Sequence, residues 1–149
     1  MSYNPETVTR EEIAALLKRR QQAMEERNVA TLAELYSDAC VVDSPTAGGP
    51  VTGRDAVVQL FEAFFIQAFP DSVTTFDEPV IDGDRVTQIL SLSGTGTGSF
   101  LGLPPTGKPY RISMVLLATV KDGLIVSERR IYDFTGLLVQ IGILKAKPA

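Results

Sequence analysis

Histidine is absent from the 149-residue sequence, and cysteine occurs once. Without histidine the chain holds no imidazole base, no Ser-His-Asp or Cys-His arrangement and no histidine-ligated metal. With one cysteine it forms neither a disulfide framework nor a cysteine-based zinc site. If the protein is an enzyme that works without a cofactor, its proton transfers therefore come from carboxylates, tyrosine, lysine, Cys40 or water.

Basic charge and long apolar runs are also scarce. Fourteen Lys and Arg stand against eighteen Asp and Glu, a net charge of −4, so we expect no nucleic-acid partner. No apolar run is long enough to span a bilayer, and Met1–Glu12 is too polar for a signal peptide, so we expect no membrane contact and a cytoplasmic location. We also expect no metal and no cofactor, because no calcium-loop spacing and no glycine-rich strand-to-helix turn occurs.

The order of the hydrophobic patterns predicts one α+β domain over residues 1–149. Helical spacing predicts helices over about Arg10–Arg27 and Val29–Tyr36, and a third that opens at Thr52 and carries most of the phenylalanines. A brief strand is predicted at Cys40–Asp43. Later runs rich in β-branched residues predict an antiparallel meander: Val73–Ile81, Arg85–Thr97, Pro109–Lys121 and Leu124–Phe134.

Several short motifs, which follow one another along the chain, resemble those of a known family. They include Val51–Ala56, Gly94–Gly98, Gly102–Lys108 and Asp133–Gly142, and together they are similar to the SnoaL-like polyketide cyclases of the nuclear-transport-factor-2-like superfamily. The resemblance covers about residues 10–144. It implies a curved antiparallel sheet forming a cone closed by three helices, an internal apolar pocket and a homodimer packed through the sheet. Fold alone does not imply a reaction, and some members of this superfamily have none.

Asp133 matches the aspartate of the family's closing segment, and the resemblance implies that it is the acid/base. Alternation along the last strand places it on one face with Ile125 and Ile131. A carboxylate that faces an apolar pocket has a raised pKa and could remove a proton next to a carbonyl. The alternative is that Asp133 caps a terminal helix, because aspartate suits that position and Thr135 and Gly136 follow.

Asp43 stands where the related ketosteroid isomerases carry their catalytic base, just before a loop that contains Pro45. The alternative is a loop aspartate that accepts backbone hydrogen bonds. The partners of that isomerase base are missing, because Arg20 stands near the position of its tyrosine and Met114–Leu117 contains no acid. A steroid isomerase mechanism is therefore not expected.

Arg20 lies on the helix stripe that should be apolar, four residues after Leu16 and four before Met24. Its guanidinium could enter the pocket and bind an enolate, a carboxylate or an aspartate; the alternative is a side chain whose charged end reaches water. We predict that the remaining substrate-binding residues are apolar: Phe61, Phe65, Met114 and Leu116.

The leading hypothesis is a cofactor-independent acid/base enzyme that acts on a small apolar carbonyl compound, such as a polyketide-like ring precursor. Asp133 would carry the proton, and Asp43 or Arg20 would shape the charge. Gly96 departs from the family, which commonly has a histidine in this stretch. The rival is a noncatalytic small-molecule-binding or dimerisation module of the same fold.

Apolar residues on both faces of strands 85–97 and 109–121 predict a homodimer through the sheet.

Overall fold

The helices follow the predicted order in the computed structural model, which describes residues 9–145. The first helix begins where the Thr9 hydroxyl accepts a hydrogen bond from the Glu12 amide at 3.2 Å, and it ends at Arg27, which has a left-handed φ of 55°. No helix of this part of the chain is both long and apolar enough to cross a bilayer. The helices are α1 (Arg10–Glu26), α2 (Val29–Glu34), α3 (Arg54–Phe61), a π-helix that continues α3 (Glu62–Ala68), and α4 (Phe134–Gln140).

The strands form one curved, unclosed sheet. They are β1 (Tyr36–Asp43), β2 (Val51–Thr52), β3 (Val73–Phe76), β4 (Val80–Asp82), β5 (Arg85–Thr95), β6 (Pro109–Lys121) and β7 (Leu124–Tyr132). Their order across the sheet is β2-β1-β7-β6-β5-β3, and β4 pairs with β5 beyond this path. Strand β1 runs parallel to β7, and the other pairs are antiparallel. The predicted α+β cone is confirmed, and its sheet is mixed because the early strand β1 joins the far side of the meander.

The helices cover the inner face of the sheet, and the outer face carries no further layer of the described chain. Along β6, alternate residues are buried from Tyr110 to Val120, as a strand with one covered face requires. Strand β5 repeats the pattern, with Leu90 and Leu92 buried and Ile89 half exposed. The core therefore lies between this face and the helices, where a site could be enclosed.

Strand β7 contains a β-bulge at Val126. Val120 of β6 pairs with Ile125, whereas the preceding Thr119 pairs with Ser127, so one residue of β7 has no partner in the ladder. Side chains alternate along a strand, and an extra residue therefore reverses the faces of all residues that follow it.

This reversal decides which charged side chains enter the cone. Ile125, before the bulge, is fully buried, and so is Glu128 after it. The side chain of Arg130 also faces inward and is 11% exposed. Ile131 and Asp133 face outward and are exposed. The expectation that Asp133 shares a buried face with Ile125 is therefore wrong, because simple alternation does not hold across the bulge.

Candidate functional site

A small cavity lies inside the cone, between α1, the junction of α3 with the π-helix, and strands β5, β6 and β7. Its volume is about 20 Å³, which is room for about one water molecule. One end of its wall is apolar and the other holds two arginines. The lining residues are Arg20, Met24, Leu32, Phe61, Phe65, Leu90, Leu92, Met114 and Arg130.

Four residues predicted to bind substrate meet at this cavity: Arg20, Phe61, Phe65 and Met114. The two phenylalanine rings stack with their centroids 4.8 Å apart and form one side of the wall. Leu116 is fully buried in the core but is not part of the lining. The sequence therefore located four of the nine lining residues, and the binding role of these residues stays a prediction.

Arg20 is 4% exposed, so its charged end is almost entirely buried and does not extend to the protein surface. Its Nε donates to the Tyr36 hydroxyl at 3.0 Å and lies 3.4 Å from Glu128 Oε1. Its Nη1 donates to the sulfur of Met24 at 3.2 Å. These contacts hold the guanidinium of α1 against strands β1 and β7.

Glu128 is the centre of the charge cluster, which we define as Arg20, Tyr36, Glu128 and Arg130. The Tyr36 hydroxyl donates to Glu128 Oε1 at 2.5 Å, and Arg130 Nε donates to Oε2 at 2.6 Å. Both carboxylate oxygens therefore accept charge-assisted hydrogen bonds, which are the strong kind. Of the cluster, only Arg20 was selected from the sequence.

The ionisation states of the cluster follow from burial and mutual attraction. Desolvation alone would raise the pKa of Glu128, but the charges of Arg20 and Arg130 outweigh it and hold this pKa at about 2. Desolvation would lower the pKa values of both arginines, yet Glu128 and Tyr36 keep them above the ordinary value. Burial raises the pKa of Tyr36 to about 12. At neutral pH the cluster therefore holds two positive charges and one negative charge.

Asp133 occupies the N-cap of α4, and its Oδ1 accepts a hydrogen bond from the Gly136 amide at 2.8 Å. Its side chain is exposed, and it is not among the residues that line the cavity. This is the capping position that the sequence left open as the alternative. An acid/base role for Asp133 stays a prediction.

Asp43 lies on the outer face of the sheet, and its Oδ2 is 3.9 Å from Arg129 Nε. It borders a shallow groove of about 610 Å³ that also contains Asp82, Arg85 and Arg129. The groove and the interior cavity lie on opposite faces of the sheet, so Asp43 does not share a site with Arg20. Within residues 9–145, no three His, Cys, Asp or Glu side chains come together as ligands for a metal ion.

A curved sheet folded around a small interior cavity defines a protein of the nuclear-transport-factor-2-like class. The chain belongs to the SnoaL-like polyketide cyclase family, whose model matches residues 14–141. No protein with a curated description matches the chain.

Solved structures of the same class resemble this chain over most of its length. IdmH from Streptomyces antibioticus, a proposed polyketide cyclase, is 30% identical, with a TM-score of 0.69 over 87% of this chain and 97% of that one. AclR from Streptomyces galilaeus, a proposed hydroxylase, is 26% identical, with a TM-score of 0.79 over 94% and 87%. A Catenulispora acidiphila protein with a ketosteroid isomerase-like fold, in complex with trimethylamine, is 19% identical, with a TM-score of 0.72 over 89% and 97%.

Tyr36, Glu128 and Arg130 were not predicted from the sequence as site residues. One signal was present. The run Ser127–Arg130 places charged residues at both odd and even positions of a strand, and therefore on both faces, and this strand has a neighbour on each side. At least one of those charges must then face the core, where it needs a partner. The apolar-stripe position of Arg20 indicated where that partner would be.

The first prediction concerns the acid stability that Glu128 provides. Its pKa is about 2 in the folded protein against an ordinary value of 4.5. Its contribution to the free energy of unfolding is therefore complete above pH 4.5 and is lost as the pH falls from 4.5 to 2. In that window the unfolded chain binds one more proton at this site, so the free energy of unfolding decreases by up to about 1.4 kcal/mol for each pH unit. We expect the free energy of unfolding, measured with urea at each pH, to show this component in the wild type and to lack it in Glu128→Gln. Equal slopes in the two proteins would contradict the assignment.

Proposed function

We propose that this protein binds a small, mainly apolar organic molecule in the interior cavity. One observation supports the proposal above the others: two inward-facing guanidinium groups, one buried and one 11% exposed, line a cavity whose remaining wall is apolar. A ligand site usually combines such a wall with a few polar groups that fix orientation. Asp133 caps a helix and Asp43 pairs with Arg129, which favours the binding module that the sequence left as the rival.

The wall must move before an organic molecule can enter, because the cavity has room for about one water. The part of the wall best suited to move is the pair Phe61 and Phe65, at the step from α3 to the π-helix. There the hydrogen bonding changes to the wider i→i+5 pattern, as in the bond from Phe69 N to Phe64 O at 2.9 Å. Such π-helical turns are frequent at functional sites. We expect the two rings to shift outward when a ligand binds.

The second prediction tests this binding site with cyclohexanone, a small apolar carbonyl compound. In a titration followed by amide NMR, we expect shifts at cavity residues such as Leu92, Met114 and Arg130. Leu90→Phe adds bulk inside the cavity and should weaken binding about tenfold or more, whereas Leu117→Phe, on the outer groove, should leave it unchanged. Shifts confined to the outer groove, or none at all, would count against an interior site.

A second candidate function is proton transfer at a carbon next to a carbonyl, favoured by membership of a family described as polyketide cyclases. In that step the carbon–hydrogen bond breaks, its electron pair moves to the carbonyl oxygen and a base takes the proton. Arg20 and Arg130 supply the donors that would stabilise the resulting enolate oxygen, since fixed donors act most strongly in a site that excludes water.

The third prediction concerns this exchange chemistry, with pentane-2,4-dione in deuterium oxide followed by proton NMR. We expect the protein to accelerate exchange at the central carbon and Arg20→Met to abolish the acceleration, while the neighbouring exposed Arg19→Met retains it. A loss of about 10²–10⁴-fold in Asp133→Asn would identify that aspartate as the proton acceptor, whereas Asp43→Asn, on the opposite face of the sheet, should retain the exchange. Exchange no faster than in buffer would exclude this candidate and leave the binding proposal standing.

We also propose that two copies of the chain pack through the outer face of the sheet. Ile89, Val115 and Ile131 are neighbours across β5, β6 and β7 on that face, and Ile89 and Ile131 are more than 40% exposed. The adjoining groove holds acids and arginines together, including Asp43 and Arg85. A patch that carries both signs of charge around an apolar row is able to pair with itself.

The fourth prediction is that light scattering at micromolar concentration will give twice the chain mass of 16.1 kDa. Val115→Glu places a charge in the centre of the apolar row and should produce monomers. Gln59→Glu, on the exposed side of α3, is the matched control and should remain a dimer. A monomeric wild type would refute this mode of assembly.

A further inference from the structure

We propose that the ligand of the interior cavity carries a single negative charge, held by the guanidinium groups of Arg20 and Arg130. This inference rests on the binding function proposed above and names the chemical class of its ligand. The class is an organic monoanion with a compact apolar body and one carboxylate or enolate group.

The number of charges comes from the ion pairs. Within residues 9–145, Glu128 is the one carboxylate that pairs with Arg20 or Arg130, at 3.4 Å and 2.6 Å. Tyr36 donates its proton to that same carboxylate and is neutral. Two guanidinium charges therefore face one carboxylate, and one positive charge inside the cone has no counterpart.

The free donors lie at the cavity. Arg20 uses Nε and Nη1, and Arg130 uses Nε, in hydrogen bonds within the described residues. Nη2 of Arg20 and both Nη atoms of Arg130 make none there. No fully buried side-chain nitrogen or oxygen of these residues lacks a partner, so the three free nitrogens keep some accessible surface. Both side chains line the cavity, and together they offer a fork of donors that suits a carboxylate.

The cost of burial makes a purely structural role a poor explanation. A buried charge without a counterpart is strongly unfavourable in a region of low polarity, and one arginine would balance the charge of Glu128. The second arginine bonds the other carboxylate oxygen of Glu128, and it leaves the cluster with one positive charge in excess. A bound monoanion would neutralise the excess and fill the free donor positions. A neutral ligand would leave the excess in place, and a dianion would replace it by an excess of the opposite sign.

The fifth prediction compares butanoate with butanamide, which match in shape and differ in charge. In NMR titrations at pH 7, we expect the wild type to bind butanoate about 10–100-fold more tightly, the range that a hydrogen bond to a charged group supplies. Arg20→Met leaves Glu128 paired with Arg130 and the cavity neutral, so the preference for the anion should disappear. Arg19→Met removes an exposed arginine one residue away and should retain the preference.

The outcomes separate the two proposals. Equal binding of both probes by the wild type would overturn the inference about charge and leave the binding function intact. Binding of neither probe, by the wild type or by a Phe65→Leu protein with a wider cavity, would overturn both. If Arg20→Met does not fold, as judged by its thermal transition, Arg130→Met provides the same change of charge from the sheet side. A preference for butanoate that survives both substitutions would also refute the inference.

Discussion

The arrangement of this protein's interior depends on two arginines that are packed beside one buried glutamate. Glu128 accepts hydrogen bonds from Tyr36 and Arg130, and Arg20 reaches the same group from helix α1. The cluster thus joins α1, β1 and β7 at the centre of the cone. Each charge has lost most of its hydration, so neighbouring side chains must supply partners for it. The fully buried carboxylate has two partners of opposite charge, which is why it stays ionised inside the protein.

The same constraint gives the cavity its chemical character. Its wall is apolar where Phe61, Phe65 and Leu90 meet, and it is cationic where the two arginines end. Membership of the SnoaL-like polyketide cyclase family places the chain among proteins of one fold, and a fold hosts different chemistries through different side chains. What distinguishes this cavity is the excess of positive charge. In the proposal above, this excess charge serves a bound anion and contributes little to the stability of the fold.

Much of the fold could be predicted from the sequence, because its main elements have strong local signals. Strand β6 has the predicted bounds Pro109–Lys121, and α1 begins at Arg10 as expected. The parallel pairing of β1 with β7 could not be predicted, since it joins segments far apart in the chain. The π-helix was likewise missed, because the pattern of phenylalanines in Phe61–Phe69 fits an ordinary helix as well.

The candidate site could be predicted in part, and the limit has a physical origin. Arg20 stood out because a charged residue interrupts the apolar stripe of its helix, and such exceptions to the hydrophobic pattern are frequent at functional sites. Asp133 was placed on the wrong face because the bulge at Val126 reverses the alternation of β7. The same reversal brings Glu128 and Arg130 inward. A bulge depends on how two strands pair, so the alternation of apolar and polar residues along one strand does not reveal it.

The most direct measurement is the stability of a protein in which the polar groups of the cluster are replaced together: Arg20→Met, Tyr36→Phe, Glu128→Leu and Arg130→Met. Buried ionic groups replaced by apolar side chains of similar volume often leave a protein equally stable or more stable, and Tyr36→Phe avoids leaving a buried hydroxyl without a partner. We predict that urea denaturation of this quadruple variant gives a free energy of unfolding at least equal to that of the wild type, and that butanoate no longer binds. A loss of about 3 kcal/mol or more would contradict the account, because the cluster would then be needed to hold α1 on the sheet.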